Sequence, residues 1–448
     1  MAIWDEIKWP EAHAEAIALL KRLIQFETVN PPGNEKPAAE YLAGILAREG
    51  LAPEVIESAP GRANLVCRLP GSGGSPPLLL NGHLDVVAVE ADKWTVAPFA
   101  AVERDGFIWG RGAVDMKNMV AMSLMCMLLL QRAGARLRRD LIFCAVADEE
   151  AGGRYGSQFM VENHPDKVRA EYSLSEMGGF SMEIDGRRFY PVQVAEKGVC
   201  WLRITTRGAP GHGSIPDPES ALLKAAAIAA RLGRKGLPQH NVPAVVRFVE
   251  TMAAHLKFPK NLVFKLLLNP TVSPIILARV VPDKAVAATF SAMLRNTANP
   301  TVIRAGEKTN VIPSEATLEI DGRLLPGTSA AEFLAEVRAA IGPEPEIEVM
   351  RELTPTEAPA DDPIMALMTE AILRRDPGAV VTPNLVTGFT DATHWKKLGI
   401  KCYGFSPLRL PPDLSFKGLF HGHDERIPVA GFKFGLETLF EVVARVTG

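Results

Sequence analysis

Leu141-Ile-Phe-Cys-Ala-Val-Ala147 is an unbroken apolar run. A strand alternates its side chains between two faces, so this run is apolar on both and needs cover on both. That requirement points to a parallel sheet layered between helices. Helical spacing of apolar residues falls around it, at 11–28, 36–49, 119–132 and 155–163. Further strands are expected at 63–69 and 76–81, joined across Gly71–Ser75. A phosphate cradle is the rival reading of that glycine-rich join. No Gly-Lys-Ser/Thr follows it, so a hairpin connection is expected. The fold class is therefore α/β with a largely parallel sheet, whose ligands gather at the carboxyl ends of the strands.

Those ends carry the chemistry. Leu78-Leu-Leu-Asn-Gly-His83-Leu-Asp85 closes an apolar strand with a histidine and an aspartate two residues apart. At a period of two, Asp85 can accept one ring N–H of His83 and aim the other nitrogen at a metal. A hydrogen-bonded structural histidine is the plainer alternative. The run 141–147 delivers Asp148-Glu149-Glu150 and then Gly152-Gly153. Three successive acids repel one another unless they lie in a solvated loop or beside cations. Glu176, before Gly178-Gly179, tips another strand. Asp115 stands before the long apolar helix, where it can serve as an N-cap or as a carboxylate bridging two cations. Imidazole with hard oxygen donors suits zinc, manganese or cobalt, and a shared aspartate sets two ions roughly 3.5–4 Å apart.

The texture changes near 197. Half-exposed alternation over 199–206, a Gly208–Ser214 loop carrying His212, a helix at 219–232 and a strand pair at 309–313 and 316–323 suggest an inserted α+β domain. Residues 236–302 are unusually apolar and broken by proline and charge, which reads as short buried helices capping the domain or lining an entrance for an apolar substrate. The α/β pattern resumes at 354. The expected domains are thus 1–196 and 354–448 around an insert at 197–353. Near the end, His421 and His423 are both possible ligands.

Composition narrows the partners. Lysine and arginine (49) nearly balance aspartate and glutamate (52), leaving a net charge of −3 and no broad basic field for nucleic acid or anionic membrane. Five scattered cysteines lack CxxC spacing and suit buried free thiols in a reducing compartment. The acidic start does not read as a signal peptide, and no run has transmembrane length without charge. A soluble cytoplasmic protein is expected.

Taken in order, His83-x-Asp85, Gly110-Arg-Gly-x-x-Asp115-Met-Lys, Glu149-Glu150, Glu176-x-Gly-Gly and His421-Gly-x-Asp-Glu-Arg-Ile resemble the dinuclear zinc family of carboxypeptidase G, aminoacylase, acetylornithine deacetylase and succinyl-diaminopimelate desuccinylase. The resemblance runs almost end to end. It implies one metal on His83, Asp115 and Glu176 and another on Asp115, Glu150 and His421, chosen over His423 as standing directly after an apolar strand. It makes Glu149 the general base and Asp85 the carboxylate behind His83. It gives His212 the part of a histidine reaching a neighbouring site across a lid-mediated dimer, and makes Asn310 and Arg323 receivers of a substrate carboxylate. Gly388 to Asp391, with Thr390, resembles a substrate-pocket loop. Asn118 and Met119 depart from the small residues common in the family, and the long insert departs from its compact lids. The implied reaction is hydrolysis of a linear amide in a dipeptide, a C-terminal residue or similar small peptide, or alternatively in an N-acyl amino acid with a bulky acyl group. A metal-storing protein or a non-catalytic descendant would be expected to lack the base or a ligand, and none is missing.

Overall fold

The computed structural model describes residue 4 and residues 6–414 and 418–448, with the backbone alone at 235. The chain divides into two compact units. One takes the chain up to Val194, then Ala358–Asn384 and Thr390–Gly448; the other comprises Ala195–Glu357 and Leu385–Phe389. The short return of 385–389 to the inserted unit has no counterpart in the sequence pattern.

In the first unit the strands Leu141–Val146, Leu78–His83, Tyr172–Ser175 and Lys401–Gly404 lie side by side and parallel. Every residue of Leu141–Val146 is buried, as its two-faced apolar pattern requires. Beyond it, Arg62–Leu69 and then Glu54–Ala59 extend the sheet antiparallel. The hairpin expected across Gly71–Ser75 is therefore absent, because Leu141–Val146 lies between Arg62–Leu69 and Leu78–His83. Strand Glu54–Ala59 has no signature in the sequence because it is largely exposed and lacks apolar patterning.

Helix Lys117–Arg132 packs on this sheet and against helices Trp9–Ile24 and Val429–Thr447. It is apolar nearly all round and buried from Lys117 to Leu130, as a helix enclosed between layers must be. Each fully buried leucine or methionine there contributes about 1.5–3 kcal/mol. Gly82 permits the close approach: a Cβ there would stand 2.8 Å from Val120 Cγ2 and 2.9 Å from Met116 Cε. Opposite, Leu79, Ile142, Cys144, Met160, Trp395 and Ile400 form the core under the other face.

The second unit is built on a four-stranded sheet in the order Thr297–Ala305, Glu315–Leu324, Gly198–Arg207, Glu346–Leu353, with antiparallel neighbours. Alternating burial along Gly198–Arg207 leaves one face to pack on helices Ala221–Lys235 and Ala330–Ile341. The expected pair 309–313 with 316–323 does not form. Val311–Ile312 pairs instead with Gly211–His212, while Glu315–Leu324 is an inner strand of the main sheet. The apolar segment folds into helices Pro243–His255, Lys260–Leu266, Ser273–Arg279 and Lys284–Met293. Contrary to expectation these are not all buried: Lys260–Leu266 has no fully buried residue, and the stretch ends in strand Thr297–Ala305 rather than a helix. No helix among the described residues is long and apolar enough to cross a membrane.

Candidate metal centre

His83 is the last residue of its strand and is wholly buried. Its Nδ1–H donates to the backbone carbonyl of Asp85 at 2.9 Å, which leaves Nε2 as the electron-pair donor. The Asp85 carboxylate stands farther away, 3.5 Å from Nδ1. The expected alternation fails here, because the strand ends at His83 and the period of two no longer governs Asp85. That carboxylate instead accepts from Asn30 Nδ2 (2.8 Å) and from the backbone N–H groups of Glu149 and Glu150 (3.1 Å each). It therefore orders the acidic turn and also backs the imidazole.

Asp115 does not cap the helix that follows. The capping position is Met116, with no side-chain bond. Asp115 Oδ1 lies 3.3 Å from His83 Nε2 and Oδ2 lies 3.2 Å from His421 Nε2. Glu176 is 3.8 Å from His83 Nε2, and Glu150 is 3.1 Å from His421 Nε2. Two donor groups result, His83–Asp115–Glu176 and Asp115–Glu150–His421, each with its ligand atoms within 4.8 Å of one another. Asp115 is common to both. His423 points elsewhere, its Nε2 2.9 Å from Glu90. His421 follows a turn at 419–420, not the apolar strand expected there.

Asp115 also differs from the other acids in origin. Its loop follows the hairpin Val102–Arg104 and Phe107–Trp109, which pairs with Arg426–Pro428 in a separate three-stranded sheet. Glu425 holds that loop in shape. Its carboxylate accepts from Arg111 Nη1 (2.8 Å) and from the N–H groups of Gly112 (2.9 Å), Val114 (2.8 Å) and Asp115 (3.2 Å). The residue stands inside the motif that begins at His421, yet nothing in its spacing shows that it clasps a loop more than 300 positions away. Glu425→Ala strands a buried guanidinium and three amides, an expected loss of about 3–5 kcal/mol measurable by denaturant unfolding. An unchanged midpoint would remove this role.

The acidic turn has its own support. Asp148 adopts φ 70°, a left-handed conformation that aspartate tolerates, and starts the short turn Glu149–Ala151. Its carboxylate faces away from the donor groups and accepts from Asn30 Nδ2 (3.0 Å), Arg62 Nη2 (2.9 Å) and Tyr155 N (3.0 Å). Arg62 in turn holds Glu35 at 2.7 and 2.8 Å. Sequence reasoning missed Asn30, Arg62 and Glu35, because their partners come from distant parts of the chain.

Electrostatics show what the cluster suits. Glu149 is buried 3.9 Å from His83 Nε2 and belongs to neither donor group. Burial and the nearby Glu176 push its carboxyl well above the usual range. Burial also pushes Glu176 up to about 8. Burial works against ionisation of Asp115 too, but contacts with His421 and His83 hold it well below the ordinary carboxylate value. His421 is pushed up to about 10 by Asp115 and Glu150. Four acids thus crowd two imidazoles, with His83 Nε2 and Glu150 Oε1 buried and without a hydrogen-bond partner. Orphaned donor atoms converging in an anionic pocket fit divalent cations.

The remaining expected site residues divide between the units. Thr390 and Asp391 are buried in the first. Asp391 accepts from Ser157 Oγ, and burial raises it to about 7. Thr390 lines a small cavity together with Glu176, and Asp391 lies close enough to Glu149 to raise its carboxyl. In the second unit His212 is exposed, its Nδ1 2.7 Å from Ser214 Oγ. The Asn310 carbonyl accepts from Gly213 N at 2.9 Å, so these two loops meet. Arg323 binds Asp321 at 2.7 Å and lies over the Phe389 ring at 5.6 Å, while its Nη1 is buried without a partner.

Comparison with known proteins agrees with this arrangement. The profile of "Peptidase family M20/M25/M40" matches residues 79–445. The chain is 29% identical to N-fatty-acyl-amino acid synthase/hydrolase PM20D1 of Mus musculus, over 95% of this chain and 86% of that protein. It is 26% identical to aminoacylase-1 of Homo sapiens, over 96% of this chain and 95% of the relative. Among solved structures, the M20 family metallo-carboxypeptidase Sso-CP2 of Sulfolobus solfataricus shares the fold at a TM-score of 0.69 and 18% identity, covering 96% of this chain and 98% of that one. With the family profile spanning most of the sequence, the chain belongs to peptidase family M20/M25/M40 and is a metal-dependent hydrolase of amide bonds.

Proposed function

We propose that the chain hydrolyses N-acyl amino acids, with small peptides as the second class of substrate. The observation that carries the reading is the pair of donor groups sharing Asp115, with Glu149 beside them and outside both. The acyl preference rests on the relatives named for N-acyl amino acids, which match along nearly the whole chain.

His83, Asp115 and Glu176 would hold one divalent cation, and Asp115, Glu150 and His421 the other. When bound, zinc, or cobalt or manganese in its place, supplies Lewis acidity toward the amide oxygen and makes water more acidic. Glu149 takes the proton of the attacking water and returns it to the departing nitrogen. Asp85 keeps Glu149 in place through its backbone N–H. In the inserted unit, Arg323 and Asn310 are the proposed receivers of the substrate carboxylate, and His212 the proposed donor to the developing oxyanion. Truncating any of these three should impair KM or kcat while leaving metal content intact; loss of metal would refute the assignment.

A homodimer through the inserted unit is part of this reading. It is supported by the outer strands Thr297–Ala305 and Glu346–Leu353, which expose Ile303, Val349 and Met350. A cytoplasmic location is supported by five free cysteines. The test is a panel of acetyl- and long-chain-acyl amino acids with dipeptides, assayed on zinc- or cobalt-loaded protein beside a chelated control. Chelator-sensitive release is expected, fastest from the long-chain acyl substrates. A clear preference for dipeptides would replace the acyl reading with the peptide one. Sedimentation of the same preparation checks the dimer, and a monomer at all concentrations would remove it.

A further inference from the structure

The helical segment 256–286 of the inserted unit has an interior and an unusual exterior. Inside, Leu256, Leu267, Ile276 and Leu277 are buried, and Phe264 meets Phe290 edge-on at 5.4 Å. With its core thus filled, the segment still exposes Phe258 (78%), Ile275 (59%), Val280, Leu262 and Val286. These are five of the fifteen large exposed apolar side chains among the described residues, gathered in a small fraction of the chain. Apolar residues at this density on an outer surface mark a docking site.

Charge identifies what docks. Over 256–286 the basic residues are Lys257, Lys260, Lys265, Arg279 and Lys284, and the single acid is Asp283. Asp283 is occupied at the start of helix Lys284–Met293, accepting from the N–H groups of Ala285 and Val286. The chain as a whole is net acidic, so this surface runs against its background. The two kinds of residue also share faces. Leu262 and Lys265 are one turn apart on helix Lys260–Leu266, with the exposed Phe258 in the turn just before it, and Ile275 and Arg279 are one helical turn apart, away from the buried Ile276 and Leu277. Short helices with apolar and basic side chains on one outward face lie in the plane of a membrane surface and favour anionic lipid.

We propose that the outward face of segment 256–286 docks this protein on anionic lipid surfaces. The near-neutral charge of the whole chain hides this local field, which is why composition argued against a membrane partner. The docking is peripheral, and it is independent of which amide the metal centre cleaves.

Flotation of the full-length protein with vesicles of phosphatidylcholine, with and without phosphatidylglycerol, tests it. Binding is expected only with phosphatidylglycerol, and it should weaken at high salt. Phe258→Asp with Leu262→Asp should weaken binding roughly tenfold or more, while hydrolysis of a short soluble substrate stays unchanged. Lys257→Gln with Lys265→Gln keeps the apolar face and should weaken it in the same salt-sensitive way. Parent protein that ignores the anionic vesicles overturns the proposal, as do variants that bind as well as the parent. If Phe258→Asp instead dissociates a dimer of a parent that floats with neither vesicle, the face belongs to a second copy and the lipid proposal fails.

Discussion

Glu149→Gln is expected to keep its full metal content and to lose about 10²–10⁴-fold in kcat, the contribution usual for a positioned general base. Glutamine preserves the shape of the side chain and cannot accept the proton. The residue belongs to neither donor group, so the ligands should still gather with their present geometry. The substitution also removes one of the buried acids that repel one another, so folding stability should hold or rise slightly. Metal analysis and steady-state kinetics on one preparation decide the matter. A variant with both metals and parental turnover would end the assignment.

Asp115→Asn should act differently, because both carboxylate oxygens face an imidazole, His83 on one side and His421 on the other. Asparagine supplies one oxygen and no charge, so the two donor groups lose their common anion together. The expected result is loss of tightly held metal from both positions and a fall in activity at least as large as that of Glu149→Gln. Excess metal should restore little of it. Titration calorimetry with zinc reads the two sites directly. Retention of two tight sites would show that Asp115 is not shared. The contrast is diagnostic: one variant is loaded and slow, the other is empty and slow.

Much of this site is legible in the sequence. His83, Glu149, Glu150 and Glu176 stand at strand ends, and a parallel sheet brings such ends to one edge. Asp115 is legible as a residue but not as to its route, since its loop grows from a separate small sheet clasped by Glu425. The same limit explains Asp85. Its spacing from His83 suggests strand alternation, whereas the chain leaves the strand between them, and the carboxylate stays behind the ring while also reaching the amides of Glu149 and Glu150. Thr390 and Asp391 carry a recognisable motif, but only the fold shows that Asp391 accepts from Ser157.

By itself, the sequence determined the layer structure, because an apolar run with two dry faces has few ways to be covered. It also determined the identity of the acids and histidines, because ligand chemistry is a property of residue type. Tertiary structure alone decided which partner each acid meets. Asp148 faces Arg62 and Asn30, Glu149 stands free beside His83, and Glu150 meets His421, although the three are consecutive. Adjacent residues in a tight turn point in different directions, and those directions are set by partners far away in the chain. Residue type and spacing do not carry that information; the resemblance distinguishes Glu149 from Glu150 by motif position, and the fold supplies the partners that set their directions.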